Sequence, residues 1–223
     1  MRIVFRNAVV LGIAAFAVSG CMGSSDGSSA GNGINLPPAG ATFGLGQAAE
    51  LAEMLSEEEF DGTEGPRTEA LVSNVIAAQG AQRPSGPLSG TASYSGDLAA
   101  LNAQDASVMA RLALSADFAD GSLSGGISDV TFEVDGPGVT ASGTLPVTGT
   151  VADNRLHAEF DGTVTAPAGG QTVTANVSGR LTGEFVGSDG AAVAGGTQFG
   201  VSGSSLPSEA RGDYTGIFHA TRD

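Results

Sequence analysis

The chain has 223 residues, of which 35 are glycine and 5% are aromatic, and its formal net charge is −15. This length fits one domain with its tethers, and abundant glycine without a Gly-X-Y period favours many short strands joined by tight turns. Phosphate binding needs a basic patch, so the acidic charge argues against nucleic acid as a partner.

Residues 1–20 have the composition of a secretory signal peptide. Arg2 and Arg6 give a positively charged beginning, and an apolar run from Ala8 to Val18 follows. That run is too short to span a bilayer and has the length of a signal-peptide core. We therefore predict that residues 1–20 are removed from the mature protein.

Cys21 is the only cysteine and follows directly after Val18, Ser19 and Gly20. This arrangement resembles the lipobox of bacterial lipoproteins. The resemblance implies a diacylglycerol group on the Cys21 thiol and an acyl group on the new N-terminus. Several acyl chains together give stable anchoring. Met22, rather than Asp, follows the cysteine, which in enterobacteria permits sorting to the outer membrane. The expected location is therefore the bacterial outer membrane, facing the periplasm or the cell surface.

Two segments separate Cys21 from the main domain. Residues 21–44 are rich in glycine and serine and are predicted to be a flexible tether. Residues 45–83 are predicted to contain one or two short helices, the second from Pro66 to Gln79. In the first helix, four apolar residues recur at helical spacing, namely Ala48, Leu51, Ala52 and Leu55. These helices are expected either to pack against a mouth or flank of a barrel or to act as a plug that binds a partner.

Residues 84–223 alternate apolar and polar side chains in eight runs separated by turn residues, as consecutive antiparallel strands do. In the run 171–186, for example, Val177, Leu181 and Phe185 share one face. The fold class predicted is all-β, an eight-stranded antiparallel up-and-down β-barrel with a filled core, the alternative being a flattened two-sheet sandwich. The runs are Leu88–Gly96, Val108–Phe118, Leu123–Val134, Val139–Val151, Leu156–Thr165, Gln171–Val186, Ala192–Val201 and Gly212–Ala220.

Several glycine and aromatic spacings in this region resemble a known family. They lie in Gly90–Gly96, Ala116–Gly125, Leu181–Gly187, Gly195–Val201 and Tyr214–Phe218. Together they resemble the β-barrel domain of the transferrin-binding protein B family, which are bacterial surface lipoproteins, and the chain has the length of a single-barrel member. The resemblance implies a barrel fold and a binding role toward a protein or an iron- or haem-related ligand.

The sequence contains few residues of the types that form catalytic or metal-binding sites. The two histidines, His157 and His219, are predicted on outward strand faces, and the sequence contains no His-x-x-x-His or Cys-x-x-Cys pattern. Asp117 and Asp120 precede Gly121 in a segment that is predicted to be a turn rather than a calcium loop. We therefore expect no enzyme activity, no metal site and no cofactor.

Binding is expected at the loops, because loops on a closed barrel can vary without disturbing the core. The longest candidates are Asp97–Asp105 and Gly203–Arg211, and no individual binding residue is assigned. Two other functions remain open: a structural envelope lipoprotein without a dedicated ligand, and a carrier of a small ligand. The carrier requires a hollow interior.

Overall fold

A computed structural model describes residues 43–56, 64–134, 138–168 and 170–223. The predicted signal peptide, Cys21 and nearly all of the predicted tether lie outside these residues. The elements are α1 (Leu45–Leu55), α2 (Glu64–Gly80), β1 (Thr91–Asn102), β2 (Ser107–Asp117), β3 (Ser122–Glu133), β4 (Val139–Thr140), β5 (Leu145–Ala152), β6 (Arg155–Ala168), β7 (Gln171–Val186), β8 (Ala192–Ser202) and β9 (Gly212–Arg222).

Eight of the strands form a closed antiparallel barrel in up-and-down order. β1 pairs with β2, β2 with β3, β3 with β5, and the pairing continues strand by strand to β9. β9 then pairs with β1, from Tyr94 opposite Arg222 to Asn102 opposite Tyr214, and closes the barrel. The predicted barrel is confirmed and the sandwich alternative is wrong. The two-residue β4 adds a short side pairing to β3.

Side chains pointing inward fill the barrel with a continuous apolar core. Phe185 and Phe218 are fully buried, whereas Phe118 and Phe132 are only partly buried. Aromatic pairs cross the interior: Phe185 meets Tyr94 at a ring separation of 5.4 Å, and Phe199 stacks on Tyr214 at 5.1 Å. Burial of this whole core, the rings included, removes a large apolar area from water and stabilises the barrel.

The two helices lie against the outer wall of the barrel, so packing on a flank is the arrangement observed among those that the sequence left open. Apolar residues of α1 and α2 form a second core with outward-facing side chains of the strands. The strand side of this second core consists of Ala99, Leu101, Met109, Val186, Ala194 and Ile217, and the helix side includes Leu51, Leu55, Leu71, Val72 and Val75. The outer wall is therefore apolar under the helices. Ile76 of α2 lies outside this second core and is 38% exposed.

Phe43 fixes the beginning of the helical segment to the barrel wall. Its carbonyl accepts a hydrogen bond from the Thr182 hydroxyl at 3.2 Å. Its ring lies so close to Gly196 that a Cβ atom there would sit 1.7 Å from Phe43 Cδ1. Only glycine allows this approach, so Gly196 serves to seat Phe43.

The predicted loop Asp97–Asp105 is wrong, because β1 continues through Asn102. Leu98 and Ala100 point into the barrel, while Ala99 and Leu101 point outward and are covered by the helices. Both faces of this half-strand are buried, so the alternation that marks a half-buried strand is absent from the sequence.

The predicted single strand Val139–Val151 is also wrong, because it is divided into β4 and β5. Between them, Gly143 has a φ of +127° and Ser142 pairs across to Thr165 of β6. The facing part of β3 carries a bulge at Asp129, whose φ is +49°, where the register to β2 shifts. A bulge bends the strand that carries it. The segment between β4 and β5 accordingly leaves β3, and β5 then pairs with β3 again.

The two ends of the barrel differ. We call the end where β1, β3, β6 and β8 finish the upper end, and the opposite end the lower end. At the lower end Leu88 packs on the core, the Tyr94 hydroxyl donates to the Gly190 carbonyl at 2.8 Å, and Gly187 N donates to Gln82 O. The segment arriving from α2 thus covers the lower end.

Candidate functional site

An apolar pocket of about 180 Å³ lies at the upper end of the barrel. Its walls come from the ends of β3, β6 and β7, from β4, and from the loop that joins β8 to β9. The lining residues are Phe132, Val134, Val139, Ala141, Val164, Ala166, Val173, Ala175, Leu206, Pro207 and Ala210. All are apolar, so the pocket offers shape and hydrophobic contact rather than chemical groups for a reaction.

The loop 203–211 forms one wall of this pocket and is the loop predicted from the sequence as Gly203–Arg211. Leu206 packs against the barrel core from this loop, and Ala210 is buried. The Arg211 guanidinium donates from Nε to the Leu206 carbonyl at 3.0 Å and from a second nitrogen to the same oxygen. The loop is therefore a folded unit, held partly by its own side chains.

Asn102, at the end of β1, connects this loop to the neighbouring turn. Its Oδ1 accepts hydrogen bonds from the amides of Gln104 and Ala106, both at 2.9 Å, while Asp105 between them has a φ of +59°. Its Nδ2 donates to the Glu209 carbonyl at 2.7 Å. The buried side-chain amide of Asn102 thus forms hydrogen bonds both to the loop 203–211 and to the turn after β1.

Tyr214 holds the other end of the loop. Its hydroxyl donates to the Ala210 carbonyl at 3.1 Å, and its ring stacks on Phe199 inside the barrel. Burial raises the pKa of Tyr214 to about 12, so the hydroxyl stays protonated at physiological pH and remains able to donate. This bond between Tyr214 and the loop was not predicted from the sequence.

Two acidic residues are sequence neighbours of residues that line the pocket, and the carboxylate of one of them, Glu133, accepts a hydrogen bond from the Ser107 hydroxyl at 3.4 Å. Glu133 follows directly on Phe132 and Glu209 directly precedes Ala210, both of which line the pocket. The hydrogen bond with its own backbone lowers the pKa of the exposed Glu209, with a smaller contribution from the Ser208 hydroxyl. Asp105 lies on the turn that Asn102 connects to this loop.

The two histidines do not reach this pocket. His157 is exposed on the outer wall, whereas His219 is half-buried in a polar groove between α2 and the barrel. In that groove Asp97, opposite His219 in the β1–β9 pairing, binds Arg67 at 2.7 Å and Arg111 at 3.2 Å. Burial lowers the pKa of His219, and the carboxylate of Asp97 opposes this effect. The Arg67–Asp97 pair joins α2 to the wall of the barrel, and the Arg111–Asp97 pair joins β2 to β1.

Asp117 belongs to a turn, as predicted. Its Oδ1 accepts from the amides of Ala119 at 2.9 Å and Asp120 at 3.3 Å, which is the bonding of an aspartate turn. Within the four described ranges no group of three or more His, Cys, Asp or Glu residues is arranged to hold a metal ion. Neither described helix is long and apolar enough to cross a membrane.

No protein-family profile matches the chain, and no curated protein sequence matches it either. Among solved structures, the chain is similar to the isotype 1 transferrin-binding protein B from serogroup B Neisseria meningitidis, with a TM-score of 0.40 and 16% sequence identity. The aligned part covers 64% of this chain and 28% of that chain, so the chain spans less than a third of that protein. The fold assignment rests on the strand pairings, and the candidate site on the contacts at the upper end.

Proposed function

We propose that this protein is a lipid-anchored bacterial envelope protein whose barrel binds a ligand at its upper end and performs no reaction on it. The observation that carries the proposal is a preformed apolar pocket, walled by a loop that Asn102, Tyr214 and Arg211 hold in place. Binding sites are concave and mostly apolar, and a rigid scaffold with a pinned loop lowers the entropic cost of binding.

The anchoring half of the proposal rests on Cys21 and the residues before it. Its lipobox resemblance supports acylation, and the glycine and aromatic spacings in residues 88–221 support a surface lipoprotein related to the transferrin-binding protein B family. On this proposal the partner is a protein or an iron- or haem-related ligand, and the location is the outer membrane. Mass spectrometry of the mature N-terminus is expected to find acyl groups on Cys21 and to find none in Cys21→Ser.

The binding half is tested by a substitution at the edge of the pocket. Val139 lines the pocket and is 37% exposed, so Val139→Asp places a charge there without disturbing the buried core. The matched control is Ile76→Asp, because Ile76 is 38% exposed on α2, away from the pocket. Chains immobilised through the mature N-terminus are incubated with serum or spent growth medium, and the retained material is quantified.

We expect Val139→Asp to lose at least about nine-tenths of the retained ligand, which corresponds to roughly 1.4 kcal/mol. Ile76→Asp is expected to retain as much as the unmodified chain. Equal retention by all three chains, or an equal loss in both variants, would refute binding at the upper end.

A carrier of a small apolar ligand is the second candidate, and the composition of the pocket lining favours it. An apolar cavity of roughly 150 Å³ holds one benzene ring. Organic extraction of the chain purified from its native host, followed by mass spectrometry, would reveal such a bound molecule.

A further inference from the structure

We propose that a polar groove on the outside of the barrel wall binds an uncharged oligosaccharide. The groove has a volume of about 400 Å³ and crosses β6, β7, β8 and β9. It shares no lining residue with the upper pocket, so the inference goes beyond the binding proposed there.

The alternation of side chains along the strands places this groove on the outer face of the barrel. Phe199 and Tyr214 point into the barrel, where their rings stack. Successive side chains of a strand point to opposite faces, so Gln198, Gly200 and Asp213, which neighbour these two residues in the sequence, face outward. The groove lies outside the second core under the helices, and its outward residues are accessible to a ligand.

Four polar side chains form a continuous row across the groove. Glu159, Arg180, Gln198 and Thr215 lie opposite one another in consecutive strand pairings. The Arg180 guanidinium donates a hydrogen bond to Gln198 Oε1, and it forms no ion pair with any residue that the structure describes. A guanidinium has five N–H donors, so donors of Arg180 remain for a ligand. Neighbouring strands are about 4.8 Å apart, which lets one ligand contact several members of the row.

A glycine leaves an opening in the row next to it. Ser178, Gly200 and Asp213 lie opposite one another on β7, β8 and β9, and Gly200 places no side chain between the other two. A Cβ atom at Gly200 would meet only Asp213 Oδ1 at 3.6 Å, which is an ordinary contact, so packing does not require a glycine here. Glycine weakens the interior of a strand and often marks a place where a ligand approaches closely.

The charges of both signs in the groove select the class of ligand. An anion only accepts hydrogen bonds and would lie beside the carboxylates of Glu159 and Asp213, whereas a cation would lie beside Arg180. A hydroxyl group both donates and accepts, so it can bind each of these groups without charge repulsion. An uncharged molecule with several hydroxyl groups therefore matches the groove, and the net charge of −15 disfavours an acidic glycan.

Hydroxyl groups continue the row beyond the groove and favour a chain of sugars over a smaller ligand. Thr148 lies opposite Glu159, and Ser124 lies opposite Thr148. Both residues are exposed. An oligosaccharide lying across the strands would reach them, whereas a small zwitterion such as a free amino acid would not.

The test is a glycan array probed with the mature chain carrying Cys21→Ser, which needs no detergent. The sequence contains no lysine, so the N-terminal amine takes a single biotin, and streptavidin then presents four chains together. The array holds uncharged oligosaccharides of glucose, galactose, mannose and N-acetylglucosamine, and beside them sialylated, uronate-containing and sulfated glycans.

Gly200→Leu fills the groove with a side chain for which the backbone has room. The matched control is Ser122→Leu, which places the same side chain at an exposed strand position on β3, outside the groove. Glu159→Gln together with Asp213→Asn removes the two carboxylates. Circular dichroism and thermal unfolding verify that each variant is folded.

We expect the chain to bind one or more of the uncharged oligosaccharides. Gly200→Leu should lower this signal at least about tenfold, the loss expected for one hydrogen bond to a charged group, and Ser122→Leu should leave it unchanged. The variant without the two carboxylates should also bind more weakly. Val139→Asp in the upper pocket should leave the signal unchanged, so failure of this inference and failure of the proposed function are distinguishable.

Three results would overturn the inference. Binding of acidic glycans alone, strengthened when the two carboxylates are removed, would assign the groove to an anion. Binding of uncharged glycans that a folded Gly200→Leu chain retains in full would place the glycan site elsewhere. Binding of no glycan on the array would show that the groove does not recognise sugars.

Discussion

The surroundings of His219 predict how the stability of the protein depends on pH. It lies half-buried between α2 and the barrel wall, facing Asp97, which also binds Arg67 and Arg111. Burial lowers its pKa, and Asp97 opposes that shift only in part. The folded protein therefore resists protonation of this imidazole more than the unfolded chain does.

The consequence is a loss of stability as the pH falls. Above the unfolded pKa of about 6.5 both states hold a neutral imidazole, and the free energy of unfolding is unaffected by this group. Below that pH the unfolded chain takes up the proton first, so the free energy of unfolding decreases. We expect urea unfolding between pH 7.5 and 5.5 to show this decrease, and His219→Gln to reduce it.

His157→Gln is the matched control for that measurement, because His157 is exposed on the outer wall. The pH slope of this variant is expected to equal that of the unmodified chain. A slope that is the same in all three chains would show that His219 is not the group responsible.

Individual residues of the candidate site were only partly visible in the sequence. The loop Gly203–Arg211 was predicted because its serine, proline and glycine residues cannot continue a strand. Asn102 was missed as its anchor, since the segment around it was itself predicted to be a loop. An asparagine three residues before Asp105 is a turn signal, and it would have indicated that Asn102 stabilises the neighbouring turn. Its bond to the Glu209 carbonyl could not be predicted in this way, because the two residues are 107 positions apart in the sequence.

At the scale of elements, α1 and α2 act as a cover for part of the barrel wall. Their apolar faces and the outward residues of β1, β2, β7, β8 and β9 bury one another. Without the helices, these strands would expose an apolar patch to water, which favours aggregation. The helices are thus part of the folded domain.

Two adjacent residues of α1 test this role of the helices. Leu55 is fully buried in the second core, whereas Met54 is 41% exposed. We expect Leu55→Ala to lower the free energy of unfolding by about 2–5 kcal/mol, since it leaves a cavity. Met54→Ala is expected to change it by about 0.5 kcal/mol or less. Similar small changes in both variants, measured by urea unfolding, would show that α1 is not integral to the domain.

Strands were predicted correctly where one face is exposed to solvent and the other is buried. β7 alternates along most of its length because its outer side faces solvent, and its inward residues were predicted correctly. The second half of β1 is buried on both faces and was predicted as a loop. The division between β4 and β5 also escaped prediction, because Ser142 pairs with Thr165 across the fold rather than with a sequence neighbour.

At the scale of the whole molecule, the barrel has one covered end and one end with a pocket. The segment leading from α2 to β1 covers the lower end, where Arg83 also binds Glu184 at 3.0 Å. The upper end carries the apolar pocket and the loop that Asn102 holds in place. This difference between the ends agrees with the proposed binding at the upper end, because a ligand could bind there without disturbing the covered end or the core.

The most direct test of binding at the upper end is photo-crosslinking from within the pocket. A photoreactive amino acid replaces Val139 in the full chain, produced in cells that export and process it, and a second chain carries it at Ile76. After irradiation in the presence of the natural surroundings of the cell, adducts are identified by mass spectrometry. We predict a defined adduct from position 139 and none from position 76. A folded chain that gives no adduct at position 139, or the same adducts at both positions, would contradict the assignment of the upper end as the binding site.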